Sequence, residues 1–368
     1  MKILFSLLTL SFVLFASTDT DACKKCHPLI SKEFQTSMHK KSTIYEDKVH
    51  KAIWDKHPAK AKGNYKCAKC HTPNLAEQKE HTAGVTCIAC HTIKDVEQHA
   101  QSNKNIYSGK KKTFYSAEKG RENEKVVYKQ KSSWFGLSKT TVGSAYHDID
   151  YTNKIYYDGQ VCMGCHSHKQ NGHKFSVCTT NEAGVSTDKS NCITCHMPKV
   201  DGSATTVRIS KQHAYHGFAG ARVKPELLSQ YLSLGLKKNT DSFDVSIGNG
   251  APHNLFTHPL RVVQLRTILH RDGKTMPLKT HTFVKIIGKN GKPAMPWVAD
   301  AVIKDTMIKA NENRVIHFDT PLQKGDRVEV QLGYFIVNPK VLKKLKLQDD
   351  KELAKFHILK AKNFAIIH

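Results

Sequence analysis

Five short segments hold the residue types that can do chemistry: "CKKCH", "CAKCH", "CIACH", "CMGCH" and "CITCH". They place Cys23, Cys26 and His27; Cys67, Cys70 and His71; Cys87, Cys90 and His91; Cys162, Cys165 and His166; and Cys192, Cys195 and His196. On a helical turn, residues i, i+3 and i+4 share a face. Two sulfurs can then reach the two vinyl groups of one macrocycle while the imidazole points at its metal. Cys-x-x-Cys-His is the attachment pattern of haem c, so five copies predict five covalently attached haems. A zinc site would pair Cys-x-x-Cys motifs without a histidine after each, and a disulfide framework would need no histidine. The remaining cysteine, Cys178 in "HKFSVCTTNEA", has no signature beside it and is read as an unreactive thiol.

Each haem iron can take a second axial ligand. With 22 histidines against 7 methionines, a distal imidazole is expected, and such bis-histidine haems lack the potential-raising effect of Met/His ligation. Context singles out four distal candidates. His39 ends a segment in which Ile30, Phe34 and Met38 recur every four residues. His147 follows "TVGSAY" in a lysine-rich stretch over 100–160, His216 lies in "KQHAYHGF" just past the last motif, and His253 sits on the glycine-rich turn of "GNGAPHNLFTHPLR". His57, His81, His99, His168 and His258 compete for the remaining place. If Pro28 to His39 is largely helical, it carries the chain about 18 Å, too far for His39 to return to the haem of His27. His39 is therefore expected to cap a different haem.

The elements that must hold these residues follow from texture. Residues 1–16, "MKILFSLLTLSFVLFA", combine a basic start, an apolar run and a small residue at Ala16, the form of a cleaved signal peptide. The run is short of the roughly 20 residues that span a bilayer, so no membrane-spanning segment is expected in the mature chain. A content of 39% hydrophobic and 8% aromatic residues is modest for a core built from protein alone, and macrocycles are expected to fill the interior of residues 17–220. Beyond that point the pattern changes. "RVVQLRTIL" puts Val263, Leu265, Thr267 and Leu269 on one face, and "HTFVKIIGKNGKP" and "RVEVQLGYFIV" alternate in the same way between "HRDGK", "KNG" and "QKGD" turns. The expected fold class is α+β: a mainly helical and loop haem segment over 17–220, an antiparallel, immunoglobulin-like β-sandwich over 221–339, and a short basic helical tail over 340–368. The net charge of +25 comes without a zinc-finger, helix-turn-helix or RNA-binding signature, so nucleic acid is not the expected partner. Positive charge offsets the haem propionates and can steer the chain to redox proteins with acidic docking surfaces.

"CKKCHPLISKEFQTSMH", "CAKCHTPN", "AGVTCIACHTI", "SAYH", "CMGCH" and "CITCHMPK" together resemble the multihaem cytochrome c-554 family, relatives of the hydroxylamine oxidoreductases. "IGNGAPHNLFTHPLR" resembles the start of the sandwich domain that some larger members append. The resemblance implies stacked haem pairs, bacterial periplasmic electron transfer, and distal roles for His39 and His147 at the matching "SMH" and "SAYH" positions. This chain has a fifth motif where the soluble members have four, and it has no "CxxCK" motif like that of catalytic relatives, so no catalytic residue is assigned. The rival expectation is a reductase or oxidase of a small nitrogen or sulfur species, acting at one haem with an open distal position.

Overall fold

A computed structural model describes residues 20–73, 83–110, 112–132, 139–180 and 190–367; the expected signal peptide and His81 lie outside them. His27 stands at the N-terminus of helix α1 (Pro28–Thr36), where Pro28 takes the first-turn position in which its missing N–H costs nothing. Ser37 ends the helix and the chain turns at once, so His39 lies just beyond α1. Helix α2 (Lys48–Lys56) follows, capped by Asp47, whose side chain accepts from the Val49 N–H. The other four motifs form single helical turns, at Ala68–His71, Cys87–His91, Met163–His166 and Cys192–His196. Two carry their own caps: Thr86 accepts from the Ala89 N–H, and Asn191 forms a capping box with Thr194. Between the motifs run short hairpins such as Ile93–Glu97 with Lys104–Tyr107. The segment expected to be mainly helix and loop thus contains many short strands as well, each too small to bury a core of its own.

The second half of the chain is antiparallel. Strands β1 (Leu232–Lys238), β2 (Phe243–Asn249) and β5 (Asn313–Phe318) form one sheet, in the order β1-β2-β5. Strands β3 (Val262–Arg271), β4 (His281–Lys289), β6 (Arg327–Phe335) and β7 (Phe356–Ala365) lie in the order β4-β3-β6-β7 in the other. Burial alternates strictly along β2, where Phe243, Val245 and Ile247 are fully buried, as in a sheet with one face packed. These side chains share one core with Leu265, Val328, Val330 and Leu332 of the other sheet, each contributing about 1.5–3 kcal/mol. The β3–β4 side of the sheet uses tight turns where backbone geometry demands them: Asp272 and Gly273, then Asn290 and Gly291, have positive φ, as two-residue hairpin turns require.

Two expectations need correction. The tail is helical only at helix α3 (Pro339–Leu345) and the turn Lys351–Ala354; its last part is the edge strand β7, paired with β6 from Arg327↔Ala365 to Phe335↔Phe356. Its lysines, which suggested a basic helix, are residues that edge strands tolerate and use against further pairing. The junction near residue 220 is also not a seam. Val49 of α2 belongs to the core of the paired sheets, Tyr334 Oη donates to the Ala221 carbonyl at 2.6 Å, and Asn171 Nδ2 donates to the carbonyls of Pro296 and Ala299.

One buried ion pair offers a stability test. Arg271 donates from Nε and Nη2 to the two Asp326 oxygens at 2.9 and 2.7 Å, and Asp326 is 3% exposed. The guanidinium holds the Asp326 carboxyl below its usual pKa. A depressed carboxyl stabilises the fold above its unfolded pKa of about 3.9, and that contribution is lost as pH falls through the folded value. Asp326→Asn should therefore cost about 1.5–3 kcal/mol at pH 7. The gap to the parent should close in denaturant titrations run at successively lower pH below about 4.

Candidate haem array

All ten motif cysteines and all five motif histidines line one cavity of about 3480 Å³. Ordinary small-molecule sites occupy roughly 300–1,000 Å³, so the space suits several large groups. His71 and His166 stand open to this cavity although protein encloses it around them. No motif cysteine is in a disulfide, and among the described residues no three His, Cys, Asp or Glu side chains converge as a metal site built from protein alone requires.

The imidazoles meet in pairs. Ring centroids lie 6.2 Å apart for His27 and His147, 6.3 Å for His91 and His216, 6.2 Å for His196 and His253, and 5.9 Å for His166 and His39. A metal about 2 Å from a nitrogen of each ring gives a separation of about 6 Å for two imidazoles on opposite sides. The first three pairs are near parallel and the fourth is crossed at 83°. His39 thus lies against the fourth motif, away from His27.

Hydrogen bonds sort the histidines further. A carbonyl can only accept, so a ring whose Nδ1 meets a carbonyl carries its proton there and leaves the Nε2 lone pair for a metal. Nδ1 of His27 donates to Ala204 O at 2.7 Å, that of His91 to Tyr115 O at 2.7 Å and that of His196 to Ala219 O at 2.6 Å. His216 donates to Ala214 O and His253 to Asn254 O, both at 2.7 Å; His71 and His147 make longer contacts of the same kind to Ser42 O and Asp148 O. His39 Nδ1 is buried without a partner among the described residues, and its ring is held by Phe218 at 4.1 Å instead. Burial disfavours the charged form of seven cavity histidines. It lowers the pKa of His39 and His216 to about 3 and that of His71 to about 4, with neighbouring imidazoles adding to the effect; His91, His147, His166 and His196 are lowered for the same first reason.

The competing histidines bond differently. His57 Nδ1 accepts from Ala59 N–H, His99 Nδ1 from Gln101 N–H and His258 Nδ1 from Leu260 N–H, which leaves the proton on Nε2. His168 directs Nε2 to the carbonyls of His99 and Ala100. His50, which the sequence gave no reason to select, lies 4.1 Å from His71, but both its nitrogens are engaged, by Ser42 O and Tyr65 Oη. Among the described residues no imidazole faces His71 at the separation of the other four pairs. Cys178 is pushed up in pKa, mainly by burial, which suits an inert thiol.

Sulfur contacts order the sites. Cys23 lies against Cys87, Cys70 against Cys165 and Cys162 against Cys192. The first motif therefore adjoins the third, and the fourth adjoins both the second and the fifth. Cys90 is close enough to Cys162 and Cys165 to affect them electrostatically, and Tyr156, whose Oη donates to Cys90 O at 2.7 Å, lies at this junction. Asn105 Nδ2 is 3.4 Å from Cys165 Sγ.

Five attachment motifs, the shared cavity and the facing imidazoles define a multihaem c-type cytochrome carrying five covalently bound haems c. Residues 22–92 match the family model described as cytochrome c554 and c-prime. Among solved structures the chain is similar to a penta-heme cytochrome c552 from Thermochromatium tepidum, with 21% sequence identity, 95% of this chain and 99% of that chain covered, and a TM-score of 0.72. No curated protein matches the chain in sequence.

Proposed function

We propose that the chain is a periplasmic electron carrier that relays electrons between redox proteins along a low-potential array of bis-histidine haems. The observation that carries this reading is the set of four imidazole pairs facing across 5.9–6.3 Å. On this reading His27/His147, His91/His216, His166/His39 and His196/His253 are the axial pairs, and the ten cysteines hold the macrocycles by thioethers. When bound, the haems supply one-electron redox chemistry. The protein's part is to fix each ring and exclude water. Two imidazole ligands without methionine support low potentials. The sulfur contacts support an order in which the His27 and His91 haems adjoin each other and the His166 haem lies between them and the His71 and His196 haems. The two sheets that share one core support an immunoglobulin-like sandwich whose role is to deliver His253 and cover the array. Among the described residues no helix is long and apolar enough to cross a membrane. The formal charge of +25 supports docking to acidic partners.

The rival reading, reduction or oxidation of a small nitrogen or sulfur species, needs an open distal side, and His71 is where it would lie. A redox titration of the five-haem protein with carbon monoxide added to the reduced form separates the two. The carrier reading expects the four paired haems to have low potentials and to bind no carbon monoxide, and no turnover of nitrite, hydroxylamine or sulfite with an artificial electron donor or acceptor. Turnover of one of these species, inhibited by carbon monoxide bound at the His71 haem, would replace it by the rival.

A further inference from the structure

Among the described residues, the cavity wall near His71 carries more positive than negative charge. Arg222, His258 and Arg261 all line the cavity there. Arg222 Nη1 donates to Asp47 Oδ1 at 2.9 Å, and this one carboxylate, which also caps α2, is the acidic group that the two arginines share. Arg261 makes a 2.6 Å bond from Nη1 to Ile336 O. A guanidinium has five N–H donors, so its remaining donors are free to face the cavity. His258 is neutral, its pKa lowered to about 4 by burial and by Arg261, and it presents Nε2–H because Nδ1 accepts from Leu260. Arg261 is depressed to about 10, chiefly by burial and then by Arg222, but remains charged at pH 7. Two buried cations against one carboxylate leave one positive charge over, and buried charges persist only when paired.

We infer that Arg261, with Arg222 and His258, forms a buried cationic seat that takes one oxyanion against the His71 haem. The chemistry of the seat, a planar guanidinium fork with an added N–H donor, fits a carboxylate or a small inorganic oxyanion. Two sources can supply that anion: a propionate of the neighbouring haem, or a free oxyanion from solution. The first source rests on the haem-array reading above; the second does not.

The test uses the fully haem-loaded protein and the variant Arg261→Gln, with potentiometric titration of all five haems and calorimetric titration with sodium sulfate. If a propionate fills the seat, Arg261→Gln lowers the potential of one haem and the parent binds no sulfate. If a free oxyanion fills it, the parent binds sulfate, binding weakens at least tenfold in Arg261→Gln, and sulfate shifts the potential of one haem in the parent only. A loaded variant with all five potentials unchanged and no difference in sulfate binding overturns the inference. Should the variant fail to load haem, a crystal structure of the parent grown with sulfate decides. Absence of any propionate or sulfate oxygen within hydrogen-bonding distance of the Arg261 guanidinium overturns the inference, and its presence supports it.

Discussion

Replacing both His39 and His147 by alanine should leave two carbon-monoxide-binding haems per reduced chain more than the parent, whereas each single replacement should add one. His39 faces His166 at 5.9 Å and His147 faces His27 at 6.2 Å, so the two substitutions open different irons. Alanine cannot reach a metal and leaves a gap next to it. A haem stripped of one axial imidazole becomes high-spin and takes an exogenous ligand in its place. The alternative that the helix length argues against, His39 serving the haem of His27, predicts a different count. His39→Ala and His147→Ala would then compete for one iron, and the double variant would gain a single carbon monoxide. Optical titration to stoichiometry measures the count directly.

Gly84→Ala should destabilise the protein by about 3 kcal/mol or more and reproduce part of the His39→Ala spectrum. A Cβ on Gly84 would meet His39 O at 2.2 Å, Lys40 O at 2.4 Å and the Lys40 carbonyl carbon at 2.8 Å. These are backbone atoms, and no rotamer change can move them aside. The same segment is tied to His39 by the Val85 N–H, which donates to His39 O at 2.9 Å. The added methyl must therefore push the His39 peptide away, which draws its ring from His166. Gly109→Ala is the matched control: a Cβ there meets nothing within 4 Å, and its denaturation midpoint should stay close to that of the parent. Equal midpoints for the two variants, with no gain of carbon monoxide binding in Gly84→Ala, would refute the clash.

The ten cysteines and five histidines proposed to attach haem were marked in the sequence because covalent attachment imposes a fixed spacing, and spacing survives in a bare sequence. His39, His147, His216 and His253 were marked only by local context, and nothing in that context says which motif each one faces. That information lies in contacts distant in sequence, such as Gly84 against His39. His57, His99 and His258 looked equally eligible; what sets them apart is the direction of one hydrogen bond at Nδ1, which has no sequence signature. In the second half, β3, β4 and β6 were legible from strict alternation. β7 was not, because as an edge strand it has no fully buried residue and carries Lys360 and Lys362 at positions that pair with Leu332 and Val330. Arg222 and Arg261 passed as two more members of a basic composition; their meaning comes from enclosure, which composition does not record.

Helix α1 also bears on how the molecule is made. A chain emerging from its N-terminus presents the first attachment motif and His39 almost together, yet neither can finish a coordination sphere with the other. On the proposed pairing, His27 waits for His147, His39 waits for His166, and His91 waits for His216, each far along the chain. Every one of these closures is a long-range contact, the kind that slows folding because loop entropy is lost before any reward arrives. Haem ligation by nearby non-partner histidines, of which the N-terminal segment has several, is thus the natural misfolded state. On the proposed pairing, native ligation therefore requires that such early ligands be exchanged for distant ones.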